Sequence, residues 1–333
     1  MVLALTLLTA CSGRKTTEAD GILWQQRDLL ERIAAANNPH GSTSEKMTQL
    51  YLSAMDSLSL NARGTEPIRR DLQRIDGCQT RDELFRLMTG KQVEGMRGPV
   101  DIVFPTDSGS QRIHLVATNE GDWFLSADST ATHAAYAAYI TKMFAYCGIA
   151  PAAEAPARAE RLIALETRLT DDSAADAGIF TIDSLCRTFP GCPWNIFFDI
   201  FGCRKVHEVI VEQPHAIQHI ADIWCQTPLD ILQDYVRLRL INAAASYLDD
   251  QMRATYFEFY GHLLAGTTHD QPRWQRAVTA TMEVFGPALQ DADALSLAAD
   301  DFTTLSFDNP RCYWDNIQQA RLWATYTQAL NIL

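Results

Sequence analysis

The chain has 333 residues, of which 47% are hydrophobic and 21% are charged, a composition that excludes a disordered protein and indicates one large or two medium globular domains. The formal net charge of -13, with no stripe rich in lysine and arginine to offset it, argues against nucleic-acid binding. After the N-terminal residues, no apolar run reaches the roughly 18 residues needed to span a bilayer, which excludes a polytopic membrane protein.

The chain begins with an apolar run that resembles a bacterial lipoprotein signal. The run reads MVLALTLLTAC and ends in the box Leu8-Thr9-Ala10-Cys11, which predicts cleavage before Cys11 and lipidation of its thiol. Such a signal ordinarily has a basic start, yet no lysine or arginine precedes Arg14, so either the true start lies upstream or the signal is weak. The small polar residues from Ser12 to Asp20 predict a flexible tether. The alternative is the start of a buried helix or strand.

The first two helices are predicted from apolar residues at helical spacing. One spans residues 22–37 and has Ile22, Leu29 and Ile33 on one face. The second is marked by Met47, Leu50, Ala54 and Leu58. We expect the second helix to end at the break from Gly64 to Pro67.

Local signals predict where the next two helices begin. Pro67 suits the first position of a third helix, because its missing N–H has no partner to lose there. Thr80 and Glu83 form a capping box that begins a fourth helix. We expect Gly90 to end that helix.

The pattern changes from helix to strand at Gly98. Residues 100–104 and 112–116 alternate apolar and polar side chains, and turn-forming residues from Thr106 to Ser110 separate them. This arrangement predicts a β-hairpin. A later β-branched run from Lys205 to Glu212 predicts one short extra strand that stands alone.

Helical spacing returns on either side of this extra strand. Expected helices start near Thr132, Thr181, Pro214, Thr227, Asp249 and Arg273, and another is marked by Leu162, Leu165 and Leu169. The start at Thr227-Pro228-Leu229-Asp230 combines a capping residue, a proline at the first position and an acidic residue. The sequence therefore predicts a mainly α protein with a small β insertion, and no repeat is found at solenoid periods.

The cysteines after Cys11 do not form a recognisable motif. They are Cys78, Cys147, Cys186, Cys192, Cys203, Cys225 and Cys312. An odd number leaves at least one thiol unpaired in an exported protein. The spacing of Cys186 and Cys192 matches neither a zinc knuckle nor a thioredoxin-type pair, so we interpret most of these residues as buried free thiols.

One segment imitates part of a zinc-peptidase motif. A zincin needs His-Glu-x-x-His on a helix, where two imidazoles one turn apart hold the metal and the glutamate activates water. His207 and Glu208 begin such a pattern, but Val211 stands where the second histidine should be. The β-branched residues predict a strand there, in which residues four apart lie about 13 Å from each other. We therefore predict no catalytic role for His207 or Glu208.

A second histidine pair has the right spacing but lacks the other groups. His215 and His219 are four residues apart on a predicted helix, so both could face one metal ion. Ala216 stands in place of the required glutamate, and no third ligand motif can be identified downstream. We interpret both as ordinary histidines, and we predict no catalytic, cofactor-binding or metal-binding residue in this chain.

Acidic pairs and an aromatic cluster favour structural roles. The pairs Asp249-Asp250 and Asp300-Asp301 are typical of solvated helix caps, because adjacent residues lie on different faces of a helix. Tyr256, Phe259 and Tyr260 share one helical face, which is typical of a packed core.

Two stretches resemble the N-terminal half of a known peptidase family. Residues 50–68 read LYLSAMDSLSLNARGTEPI, and residues 228–289 include YLDDQMRATYFEFYGHLLAG and QPRWQRAVTATMEVFGPAL. The sharpest match is Pro272-Arg273-Trp274-Gln275-Arg276, where the family typically reads proline, arginine, tryptophan, lysine, arginine. The chain thus resembles the M13 family of neprilysin-like and oligopeptidase-O-like zinc metallopeptidases.

The resemblance implies a fold and a division of labour. Members of the family have two largely helical lobes around a chamber that admits peptides to the zinc ion. The matches here, from about Leu50 to Leu289, fall in the N-terminal lobe that caps the chamber, so zinc is the family's cofactor but none is expected in this chain. We expect three parts: a signal and tether over 1–20, the cap lobe over 21–290, and a segment over 291–333 that resembles a later, truncated part of the family.

Three functions are compatible with the sequence. The favoured hypothesis is a lipid-anchored cap-lobe protein of the bacterial cell envelope that lacks the His-Glu-x-x-His half, does not cleave peptides alone, and at most binds peptides or a partner lobe. The first alternative is a fragment of an active zinc endopeptidase. The second is an unrelated helical lipoprotein that captures a nutrient. A cap lobe without its partner would expose apolar surface, which predicts self-association.

Overall fold

The computed structural model describes residues 15–103, 112–118, 122–125, 130–170, 177–203 and 206–290. Within these stretches the chain is mainly α-helical with one small sheet, so the predicted fold class is confirmed. The predicted lipidation site Cys11, the acidic pair Asp300-Asp301 and the predicted C-terminal segment 291–333 lie outside the described residues.

The helices and strands alternate along the chain in a fixed order. The helices are α1 (Lys15–Ala35), α2 (Thr43–Met55), α3 (Ser57–Arg63), α4 (Glu66–Asp76), α5 (Arg81–Val93), α6 (Asp122–Leu125), α7 (Thr130–Tyr146), α8 (Ala155–Leu169), α9 (Ile182–Thr188), α10 (Trp194–Ile200), α11 (Pro214–Gln226), α12 (Leu229–Ala244), α13 (Asp250–Tyr256) and α14 (Arg273–Gln290). A 3-10 turn (Ala245–Tyr247) follows α12, and a π-helical segment (Phe257–Leu264) continues α13. The strands are β1 (Val100–Val103), β2 (Ile113–Ala117), β3 (Gly178–Thr181) and β4 (Glu208–Val211).

The four strands form one sheet in the order β1-β2-β4-β3. Strands β1 and β2 are antiparallel, which confirms the predicted hairpin. The expectation that the strand at 205–212 stands alone is wrong, because β4 pairs in parallel with β2 and antiparallel with β3. The sequence analysis did not identify β3. Val209 and Val211 of β4 are fully buried, so this central strand packs one face on the core.

Capping side chains explain the starts of five of the described helices and correct one predicted boundary. The Thr80 hydroxyl accepts the Glu83 N–H and the Glu83 carboxylate accepts the Thr80 N–H, which confirms the predicted capping box. Thr181 likewise caps α9. The single helix predicted from Met47 to Leu58 is instead two helices, because Asp56 ends α2 and its carboxylate accepts the Ser59 N–H at the start of α3.

Two further boundary predictions are wrong. Helix α5 continues through Gly90 and ends at Val93, since Gly90 does not adopt the left-handed conformation that ends helices. Thr227 does not cap α12; its hydroxyl donates to the Ile223 carbonyl at the end of α11, and Pro228 is the capping residue.

Helix α1 begins earlier than predicted and contacts the core through a different face. Helix α1 begins at Lys15, so residues 15–20 of the predicted tether are helical. Ile22 is 53% exposed, and Leu30 is the residue of this helix buried in the core. The contacting face therefore runs through Leu23, Leu30 and Ile33, so two of the three predicted contacts shift by one position and Ile33 is as predicted.

The hydrophobic core is divided into two clusters. The larger cluster includes buried residues of α4, α5, α7, α8, α10, α11, α12 and the sheet. The smaller cluster joins α1, α2 and α14, with Leu30, Met47, Leu50, Val278 and Phe285 at its centre. The helices that precede and follow the larger cluster in the chain thus pack on each other. No described helix combines the length and apolar character that a membrane crossing requires.

Candidate functional site

The histidines considered as zinc ligands lie in ordinary structural positions. His207 precedes β4 and Glu208 begins it, which confirms the predicted strand in place of a zinc-binding helix. His215 and His219 are both exposed on α11, and the Nε2 of His219 lies 2.6 Å from the carbonyl oxygen of Arg168. Among the described residues, no group of three or more histidine, cysteine, aspartate or glutamate side chains is arranged to hold a metal ion.

The aromatic residues singled out in the sequence belong to the larger core. Phe259 is 3% exposed and stacks on Tyr136 and Tyr139 with ring-centroid distances of 5.0 and 5.3 Å. Tyr260 packs edge-on against Tyr139, and Tyr256 stacks on Tyr260. The predicted packing role of this cluster is confirmed.

The motif Pro272–Arg276 connects the two core clusters. Arg273 pairs with Asp250 at the start of α13, and its Nη1 lies 3.4 Å from the Ala54 carbonyl oxygen near the end of α2. Trp274 packs on Trp24 of α1 with a centroid distance of 4.4 Å. The motif that showed the family resemblance therefore lies where the start of α14 contacts α1, α2 and α13. We call this set of contacts the junction.

The same junction contains a second group of charges. The Arg253 Nε donates to Asp270 at 2.8 Å, and Arg276 lies 3.5 Å from the same carboxylate. Burial opposes the charge of Asp270, but the hydrogen bond and charge of Arg253 and the charge of Arg276 outweigh it and lower the pKa of the carboxyl. Burial and the neighbouring Arg253 lower the pKa of the Arg276 guanidinium.

The acidic pair Asp249-Asp250 has two separate structural roles. Asp249 is 3% exposed, caps α13 by accepting the Met252 N–H, and accepts the Tyr146 hydroxyl at 2.8 Å. Asp250 exchanges two hydrogen bonds with Asn61 of α3. The predicted capping role is confirmed for Asp249, although its carboxylate is buried and not solvated.

The cavity at this junction is too small for a peptide. It measures about 20 Å³ and is lined by residues that include Leu60, Tyr247, Arg253, Arg273 and Arg276. A space of that size holds about one water molecule. A larger open groove of about 360 Å³ lies between α7 and α13, beside Tyr146, Gln251 and Thr255.

Buried ion pairs connect the helices of the larger cluster. Asp234 of α12 is 2% exposed and accepts hydrogen bonds from Arg158 of α8 and Arg237 of α12. Arg237 also donates to Asp76 at the end of α4. The hydrogen bonds that Arg158 donates to Asp234 raise the pKa of the Arg158 guanidinium. These paired charges connect α4, α8 and α12.

Comparison with known proteins shows the family to which the chain belongs. Residues 16–292 match the family model of the N-terminal domain of peptidase family M13. That match covers most of the chain, and the chain therefore belongs to peptidase family M13.

Solved structures have the same fold over most of this chain. The zinc metalloprotease Zmp1 of Mycobacterium tuberculosis in its open state matches with a TM-score of 0.77 and 21% identity, over 96% of this chain and 60% of that one. Its inhibitor complex matches with a TM-score of 0.75 and 21% identity, over 94% of this chain and 58% of that one. PepO from Lactobacillus rhamnosis matches with a TM-score of 0.66 and 15% identity, over 86% of this chain and 48% of that one.

Two consequences follow from these matches. At such identities the likeness to the solved structures shows the fold alone, and the chain spans 60% or less of their length. The hypothesis of an unrelated nutrient-binding lipoprotein is wrong, because the family match covers residues 16–292. The junction at Arg273 was visible in sequence as a motif, whereas its partners Asp250 and Ala54 carried no signal for this contact, since they meet Arg273 only in the folded chain.

Proposed function

We propose that this chain is the access-limiting helical domain of an M13 peptidase and does not cleave peptides by itself. The observation that carries the proposal is the match to the family's N-terminal domain in a sequence without a His-Glu-x-x-His motif. In this proposal zinc and the groups that activate water belong to a separate region, and the helical domain restricts which peptides reach them.

The large hydrophobic side chains that are at least half exposed lie mostly on the first three helices, the exception among the described residues being Ile179 of β3. Four large hydrophobic residues of the first three helices are at least half exposed: Ile22, Trp24, Leu52 and Leu58. These helices contribute to the smaller cluster or lie beside it. Exposed apolar residues of this size are typical of surfaces that another protein region covers. We propose that this side receives the zinc-binding lobe, or a second copy of the chain when that lobe is absent.

The enzymatic part of the proposal is tested with the purified chain. The chain is mixed with excess zinc and a library of quenched fluorescent peptides, with and without a chelator. We expect no chelator-sensitive cleavage by the chain alone, and cleavage once a zinc-binding region of an M13 peptidase is supplied. Chelator-sensitive cleavage by the chain alone would refute the proposal. A His-Glu-x-x-His reading frame directly downstream in the DNA would favour the alternative that this sequence is part of an active endopeptidase.

The partner surface is tested with matched charge substitutions. Leu58 of α3 is 83% exposed, whereas Leu263 in the π-helical segment is 47% exposed and serves as the control. We expect Leu58→Glu to reduce self-association or lobe binding in light scattering and titration, and Leu263→Glu to leave both unchanged. Equal effects of the two substitutions would rule out a surface specific to the first three helices.

Anchoring at the cell envelope forms a separate proposal. We infer it from the lipoprotein box at Cys11 alone. Metabolic labelling with a radioactive fatty acid should mark the expressed protein, and Cys11→Ser should abolish the label. Labelling that persists in this variant would remove the inference.

A further inference from the structure

Two cysteines from different elements lie close together near the surface. Cys192 follows Gly191 in the turn before α10, and Cys225 lies in the last turn of α11. The Sγ of Cys225 donates a hydrogen bond of 3.4 Å to the carbonyl of Gly191, which belongs to the peptide bond that joins Gly191 to Cys192. Both thiols are free in the structure.

Close packing holds the turn against the helix. A Cβ atom added to Gly191 would lie 2.2 Å from the carbonyl oxygen of Ala221, so the backbone of the turn lies directly on α11. Ala221 and Cys225 are four residues apart and share one face of that helix. The Cα of Cys192 is about 3.8 Å from the Cα of Gly191. A disulfide needs Cα atoms within about 7 Å, a distance that the backbone sets. The 3.4 Å contact between the Sγ of Cys225 and the carbonyl oxygen of Gly191 places that sulfur beside the backbone of Cys192, so rotation of the Cys192 side chain can turn its thiol toward it.

The two thiols differ in accessibility. Cys225 is exposed, whereas Cys192 is 5% exposed. Burial raises the pKa of the Cys192 thiol, and the neighbouring Cys225 adds to that rise. An oxidant from solution therefore reaches Cys225 first, and Cys192 is placed to react second.

We propose that Cys192 and Cys225 form a reversible disulfide, which makes this turn a redox modification site. The oxidant is a small disulfide such as glutathione disulfide. The Cys225 thiolate attacks one of its sulfur atoms, forms a mixed disulfide and releases one glutathione thiolate. The Cys192 thiolate then attacks Cys225 Sγ and releases the second glutathione. Two protein thiols are oxidised, one disulfide of the reagent is reduced, and the two thiol protons pass to solvent or to the released thiolates.

The cross-link would tie the turn before α10 to the end of α11. Trp194 and Phe197 of α10 are fully buried in the larger cluster, so the cross-link would act on a packed part of the domain. Closing the loop between the two cysteines restricts the unfolded chain, which raises the melting temperature by about 5 °C. Reduction with dithiothreitol should reverse that shift.

The test uses the full chain incubated with glutathione disulfide. We expect the mass to fall by two hydrogen atoms and a nonreduced digest to contain one linked peptide that joins Cys192 to Cys225. Cys225→Ser should abolish both the linked peptide and the rise in melting temperature. Cys186→Ser is the control, since the partly buried Cys186 interacts with Asn195 and should leave the cross-link unchanged.

The mapping in the unsubstituted chain decides the matter, because it does not depend on the folding of a variant. A digest in which Cys225 carries only glutathione while Cys192 remains a thiol would overturn the proposal. Linkage of either residue to a different cysteine, or no reaction at all, would overturn it equally.

Discussion

Substitution of Asp234 by asparagine should destabilise the larger cluster strongly. The carboxylate of Asp234 is 2% exposed and accepts hydrogen bonds from Arg158 on a neighbouring helix and from Arg237 on its own helix. Asparagine keeps the size of the side chain but removes its charge. Two guanidinium groups would then face each other without the carboxylate that lies between them.

The expected loss in the free energy of unfolding depends on the burial of Asp234. Hydrogen bonds to charged groups contribute about 1.5–3 kcal/mol each, and breaking a buried ion pair costs about 3–5 kcal/mol. Arg158 and Arg237 keep bonds to the Ile149 carbonyl and to Asp76, which reduces the loss. We expect Asp234→Asn to lower the free energy of unfolding by about 3 kcal/mol.

Asp230 provides a matched control for this measurement. It lies one turn earlier on α12 and pairs with Arg161 of α8, but the two side chains are 61% and 47% exposed. Exposed pairs contribute about 0–1 kcal/mol, so Asp230→Asn should cost less than about 1 kcal/mol. Urea denaturation followed by circular dichroism measures both. Equal losses in the two variants would refute the argument that burial decides the strength of these pairs.

Three further predictions use the same denaturation assay. Gly191→Ala should cost about 2–3 kcal/mol because its Cβ would meet the Ala221 carbonyl at 2.2 Å, whereas Gly90→Ala, with no atom within 4 Å of its Cβ, should stabilise α5 by about 0.5–1 kcal/mol. Thr80→Ala should cost about 1 kcal/mol by removing the capping box, and an unchanged midpoint would contradict that role. Asp270 has a lowered pKa, so its stabilisation is present above the unfolded value of 3.8 and is lost as the pH falls through the lower folded value. Asp270→Asn should therefore be less stable than the parent by about 1 kcal/mol at pH 7, and the two should converge in acid; a constant difference would contradict the assignment.

Local signals predicted elements well where the responsible atoms are close in sequence. The capping box at Thr80, the start of α9 at Thr181 and the hairpin were all confirmed. Each depends on residues within a few positions or on strict alternation. The break at Asp56 was missed because the apolar spacing continues from Met47 to Leu58 across it.

Features that depend on distant contacts could not be predicted. Strand β4 pairs with β2, which lies almost a hundred residues earlier in the chain, and with β3, which has only four residues with a glycine at its start. The orientation of α1 depends on its contacts with α2 and α14, which no local pattern specifies. The same holds for the junction, where a motif in α14 meets Asp250 of α13 and Ala54 of α2.

The two core clusters are expected to differ in their stability against local opening. Buried ion pairs connect the helices of the larger cluster, since Asp234 pairs with arginines from two helices and Asp76 joins a third. The smaller cluster is built from helices at both ends of the described chain and has half-exposed apolar residues such as Ile22 and Trp24 on its helices.

Local opening begins where few apolar contacts are buried, so hydrogen exchange should be faster in α1 than in α12. If a zinc-binding lobe covers this side, its addition should slow exchange in α1 and α2 and leave α12 unchanged, because the partner buries only the former helices. Equal protection of α1 and α12 in the isolated chain would show that the smaller cluster needs no partner to be stable.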